Sequence, residues 1–181
     1  MSKTKTQQPK PLDKLVDALV KISEEGDRGK LAALRYWFRP ATQHFAYPVL
    51  DDLLAKAGLG PNALDEDSIW CLIPALYAWN PNHTDERFHN FGTTCRNIAA
   101  DKRDAFAAHF RRIMACDHLS DVMETLQSYV RRAGTAGAAI NYKNLGFDLF
   151  RWRKSEEDAR DIKTRWSREY YWVPAEPKEA Q

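Results

Sequence analysis

The chain has 181 residues, 44% hydrophobic and 29% charged, which gives it enough apolar mass for a real core and excludes a disordered or fibrous class. Its formal net charge of +2 removes any global basic signal, so a nucleic-acid role must rest on where charges sit rather than on their sum. Three scattered cysteines (Cys71, Cys95, Cys116) fit free thiols better than a disulfide framework, and the polar start MSKTKTQQPKP has no secretory apolar core. With no apolar run near the roughly 20 residues that cross a bilayer, the expectation is a cytoplasmic protein without membrane contact.

Residues 1–10 read as a disordered basic tail. A first helix starts near Pro11, a residue the first turn tolerates. Leu12, Leu15, Val16, Leu19 and Ile22 form its apolar stripe, and Gly26 ends it. The second helix is DRGKLAALRYWF, stopped by Pro40, with Leu31, Leu34, Trp37 and Phe38 inward. Its polar remainder is Arg28, Lys30, Arg35 and Arg39, with no acid after Asp27. A third helix spans about 48–57 and a fourth about 65–79. Leu64, Ile69, Leu72, Ile73, Leu76 and Tyr77 would be core, and interior Pro74 should kink or restart the fourth helix. Region 42–86 is acidic, with Asp51, Asp52, Asp65, Glu66 and Asp67 against Lys56 among its helical stretches.

The stretch NPNHTDERFHNFG, 80–92, reads as a long loop and a candidate boundary. Helices follow at about 93–100, 103–116 and 119–132, and 134–139 (GTAGAA) reads as a flexible linker. Two closing helices come next. The first carries Tyr142, Leu145, Leu149 and Trp152 on one face. The second opens at Ser155, an N-cap followed by Glu156, Glu157 and Asp158, which suit the free N–H groups and the positive dipole end. Its inner face is Ala159, Ile162, Trp166 and Tyr170, and Trp152 should meet Trp166 across the turn. Apolar residues recur at three and four, never in sustained alternation. The predicted fold is all-α: two small helical bundles packed together, about eight to nine helices. The expected organisation is a tail over 1–10, bundles over 11–83 and 84–173, and a frayed end over 174–181.

Nothing in the pattern asks for catalysis or for a cofactor. There is no HExxH, GxSxG, CxxC pair or glycine-rich phosphate loop. His83, His89 and Cys95 match no metal-ligand spacing. The acids at 51–52 and 65–67 read as solvated helix starts, with a metal-dependent hydrolase as the weaker alternative. Basic residues recur once per helix instead: Arg28, Lys30 and Arg35, then Arg96, Arg103, Arg111, Arg112, Arg131, Arg132, Arg153 and Lys154. Arginine's planar fork holds phosphate oxygens bidentately, so these are the candidate nucleic-acid-binding residues. Acids interspersed with the C-terminal set leave open the reading of plain surface ion pairing. A phosphate-binding role needs folding to gather the cations on one ledge, away from the carboxylates.

Three blocks then carry a family likeness: Gly29 to Arg35, Phe110 to Asp117 (FRRIMACD), and Ile140 to Trp152 followed by Arg165 to Tyr171 (RWSREYY). The last is the most specific: Asp-Leu-x-x-Trp, then Arg-Trp-x-Arg-aromatic-Tyr. In order and spacing the chain resembles the CasB family, the small subunit of the type I-E CRISPR surveillance complex, Cascade. The resemblance implies an all-helical, non-catalytic subunit that sits with a second copy of itself and other Cascade subunits. It also implies contact with guide RNA and with target or displaced DNA, through backbone and shape. Arg35, Arg153 and Lys154 match family basic positions. The chain departs from the family pattern at Tyr36, Thr93, His109 and Gln127-Ser128. The remaining alternative is a helical interaction scaffold without nucleic-acid contact.

Overall fold

The computed structural model describes residues 10–60, 62–63, 68–100 and 102–172, with the main chain alone at Lys10 and Arg103. The expected core position Leu64, the acids at 65–67 and the two chain ends fall outside these residues. The fold is all-α, with no strand among the described residues.

The helices run α1 Lys10–Glu24, α2 Arg28–Arg35, α3 Tyr47–Lys56, α4 Ile69–Trp79, α5 Phe91–Ala99, α6 Arg103–Met114, α7 Leu119–Ala136, α8 Tyr142–Trp152 and α9 Glu156–Tyr171. Local chemistry sets several of their ends. Asp27, Asn90, Asn141 and Ser155 each accept the N–H three residues on, an N-cap that satisfies an otherwise orphaned donor. Pro74 lies inside α4, yet the helix continues to Trp79. The expected second helix stops earlier than Pro40: α2 ends at Arg35, and two 3-10 turns, Tyr36–Phe38 and Pro40–Phe45, complete the segment.

Helices α1 to α4 pack on one another, and α5 packs against α6, α7 and α9. Two contacts span these sets. Helix α7 packs on α4, and α8 packs on α1, α4 and α9 together. One continuous apolar core results, from Leu12 and Leu50 through Leu76 and Tyr142 to Phe110, Trp166 and Tyr170.

The segment expected to be a flexible linker is neither a linker nor loose. Helix α7 continues to Ala136, and Gly137, at φ 68°, closes it in the left-handed conformation glycine favours. Residues beyond it are fastened to the 80–90 loop. Asn80 donates to the Ala138 carbonyl (3.0 Å), Asn82 to Gly137 (3.1 Å), Asn141 to Glu86 (3.0 Å) and Asn144 to His89 (2.9 Å). A short parallel bridge pairs His83 with Ile140. Asparagine amides here give two irregular stretches of chain the partners that buried backbone requires.

Candidate nucleic-acid interface

The most specific sequence block turns inward. Asp148 on α8 is 2% exposed and accepts from Arg165 Nη2 (2.6 Å) and Trp166 Nε1 (2.7 Å) on α9. Burial raises its carboxyl above the usual range, opposed by the Arg165 charge and the two donors. Arg151 pairs with Asp158, and with Asp161 at 3.2 Å. The Trp152 and Trp166 rings meet with centroids 5.7 Å apart, as the spacing predicts. Helix α5 crosses α9 so closely that a Cβ on Gly92 would lie 1.9 Å from the Trp166 carbonyl oxygen. The Asp-Leu-x-x-Trp and Arg-Trp motifs are thus two halves of one helix-pairing lock.

The outward chemistry lies between α6 and α7. A groove of about 670 Å³ opens there. Buried Ala99 and Phe106 lie at its base, and exposed Lys102, Arg131 and Arg132 stand at its edge beside His109. None of its described lining residues is a carboxylate. Tyr129 of α7 donates to the His109 carbonyl of α6, tying the two walls together. Burial pushes the Tyr129 hydroxyl up to about 12, so it remains a donor at neutral pH. Arg112 and Arg132 both lie near enough to act electrostatically on that hydroxyl.

The groove is joined to the α1–α4 side by Trp79 at the end of α4. Arg131 lies over that indole at 4.6 Å and Arg35 at 5.2 Å. Arg35 also donates from Nε to the Ala78 carbonyl (2.8 Å). Two arginines distant in sequence thereby share one ring, each attracted to its π face.

The other candidates are distributed more widely. Arg111 and Arg112 are exposed on α6, and Arg28 is exposed at the start of α2. Lys30 pairs with Asp27 at 3.1 Å. Arg96 is occupied: it donates to the Glu169 carbonyl (2.8 Å) and lies under the Trp172 ring at 5.0 Å. Arg153 and Lys154 are exposed at the turn between α8 and α9, with Arg153 over Phe150 at 5.7 Å. Arg103 opens α6 directly after Lys102, its side chain outside the described residues. Lys102 and His109 are groove residues that sequence spacing does not single out as ligands. A lysine at a helix N-cap, and a histidine just ahead of the arginine pair on α6, become neighbours of Arg131 only when α6 is laid beside α7.

Among the described residues, no group of three or more His, Cys, Asp or Glu gathers to hold an ion. His83 contacts the Ile140 carbonyl (3.1 Å) and Asp85 (3.1 Å), and His89 contacts Thr94 (3.0 Å) and the Ala139 carbonyl (3.1 Å). Both rings are thus engaged in loop packing. Cys95 is fully buried, which pushes its thiol well above the usual range. No described helix is long and apolar enough to cross a membrane.

The model of the CRISPR-associated protein Cse2 family matches residues 30–171. Two solved structures from Thermus thermophilus share the fold. One is a Cse2-family CRISPR-associated protein, with TM-score 0.65 and 24% identity; the match covers 90% of this chain and 99% of that one. The other is CasB, with TM-score 0.64, 25% identity and the same coverage. No curated protein sequence matches the chain. The family model takes in the α5–α9 crossing, the Asp148 lock and both walls of the groove, well over half the chain, and so the chain belongs to the CRISPR-associated Cse2 family.

Proposed function

We propose that this chain is the non-catalytic small subunit of a type I-E CRISPR RNA-guided surveillance complex in the cytoplasm. There it steadies the guide RNA–target DNA pairing and the displaced single strand through basic surface residues. Its partners on this reading are the other Cascade subunits, a second copy of itself, and the nucleic acids. The observation that carries the reading is the groove between α6 and α7, with Lys102, Arg131 and Arg132 on its edge and no described carboxylate within it. Cations on the edge of a groove whose described lining holds no carboxylate attract a polyanion, and such contact is blind to sequence and weakens with salt. Arg111, Arg112, Arg153 and Lys154 extend the candidate surface. Arg35 acts by holding Trp79 as much as by contacting phosphate.

The test is co-purification with guide RNA and the other subunits, followed by R-loop lifetime. Arg131→Ala/Arg132→Ala should shorten that lifetime and flatten its salt dependence, and Arg153→Ala/Lys154→Ala should do so less. Unchanged lifetime in both double variants would remove the nucleic-acid assignment.

One observation favours a protein-docking role alongside. The 3-10 segment exposes Tyr36 and Phe45, rings 5.5 Å apart, and Tyr47 at the start of α3 is exposed beside them in sequence. If the chain is only a scaffold, excess unlabelled single strand will leave subunit capture intact.

A further inference from the structure

We propose that the groove between α6 and α7 seats an unstacked nucleobase of a single strand, with the flanking phosphates on Lys102, Arg131 and Arg132. This rests on the nucleic-acid reading above and adds to it the part of the ligand the groove takes.

A surface that only grips a backbone needs cations and no hollow. This one has an open groove of about 670 Å³ between the two helices, a volume in the range of small-ligand sites. The hollow exists because its wall positions Ala105 and Ala136 carry only methyl groups. One hydrogen bond, from the Tyr129 hydroxyl to the His109 carbonyl, holds its α7 wall to its α6 wall.

The chemistry changes with depth. Phe106 and Ala99 at the base are buried and apolar, and the charges stand at the edge. A nucleotide divides the same way, into a flat base and a charged phosphate. The half-buried His109 ring, 5.8 Å from that of Phe106 beneath it, supplies the π surface for stacking. The hydroxyls there are turned to their own helix: Ser128 donates to the Thr125 carbonyl (2.9 Å) and Thr135 to that of Arg131 (3.2 Å). With its hydroxyl protons so used, no described carboxylate, and its cations set on the flanking phosphates, the groove has little left to read a base edge, so it accepts any base. In a duplex the bases are stacked and paired, and entry would need one to be extruded. The groove therefore selects single strands.

The experiment compares three fluorescent probes on the full chain by anisotropy over a salt series: a short polythymidine strand, an abasic strand of equal length and charge, and a duplex. The polythymidine strand should bind about tenfold more tightly than the abasic one, the scale of one stacked base. Ala105→Leu/Ala136→Leu fills the groove at two exposed helical positions and leaves every cation in place. It should erase the tenfold preference while keeping the salt slope. Equal binding of the normal and abasic strands by the unaltered chain overturns the proposal and leaves the phosphate reading standing. Retention of the preference in the filled variant also overturns it. Binding of no probe overturns the nucleic-acid reading itself. The comparison of strands on the unaltered chain decides the matter even if the filled variant does not fold.

Discussion

Replacing Asp148 by alanine tests the helix-pairing lock directly. The carboxylate is buried and receives two donors, one of them the Arg165 guanidinium at 2.6 Å. Its loss removes two hydrogen bonds to a charged acceptor, each worth about 1.5–3 kcal/mol. It also strands the Trp166 N–H, which sits in a ring with 0% exposure. Against this, the cost of burying a carboxylate disappears, the same cost that raises its pKa. The net expectation is a loss of about 3–5 kcal/mol, in line with breaking a buried charged pair. For a chain of this length that lowers Tm by roughly 10 °C. Urea unfolding followed by tryptophan fluorescence gives the value. Trp166→Phe removes the indole donor and keeps a ring, so a double-mutant cycle with Asp148→Ala isolates that one bond. A coupling of about 1–3 kcal/mol is expected between groups in contact. A loss under about 1 kcal/mol for Asp148→Ala would refute the lock, because an unmade buried bond cannot cost so little.

Other perturbations follow from the same packing. Gly92→Ala places a methyl against the Trp166 backbone and forces α5 away from α9. The expected loss is about 3 kcal/mol or more, and a measured stability equal to the parent's would contradict the close crossing. Gly134→Ala is its opposite, since the added Cβ meets Asn80 and Trp79 at an ordinary 3.5 Å inside a helix. It should stabilise the chain by about 0.5–1 kcal/mol in the same unfolding assay. Trp166→Ala should cost roughly 3–5 kcal/mol by chemical denaturation, the usual range for emptying a core aromatic site. Burial lowers the pKa of His89, so the folded chain protonates less readily there than the unfolded chain. Its contribution to stability is complete above the unfolded value of about 6.5 and is lost as pH falls through that value toward the folded pKa. NMR titration of the His89 ring should place its pKa below about 6.5, and a value at or above that would refute the burial argument.

Much of the architecture could be read before any coordinates. The stripe Leu12, Leu15, Val16, Leu19 and Ile22 is buried as its spacing requires, and so is the face Ala159, Ile162, Trp166 and Tyr170. Both depend on a helical period that local sequence fixes. The Ser155 cap was legible for the same reason, because its partner Asp158 N–H is three residues away. The GTAGAA stretch misled, since composition says nothing about a distant loop that supplies hydrogen-bond partners. The Asn80, Asn82, Asn141 and Asn144 amides work across 55 to 58 residues of chain, and no local pattern reports such a pairing.

The candidate site divides along the same line. Arginine pairs at Arg111-Arg112 and Arg131-Arg132 are visible in sequence, but not whether a carboxylate neutralises each one. Arg96 and Arg131 look alike as letters. Folding sends the first to the Glu169 carbonyl and the second to the rim of an open groove. Sequence alone located the helices, most of their buried faces and the family blocks, because periodicity and capping act over three or four residues. The tertiary structure decided that Asp148 closes a lock and that Lys102 and His109 join Arg131 and Arg132, because charge and hydrogen-bond satisfaction depend on which side chains meet in space.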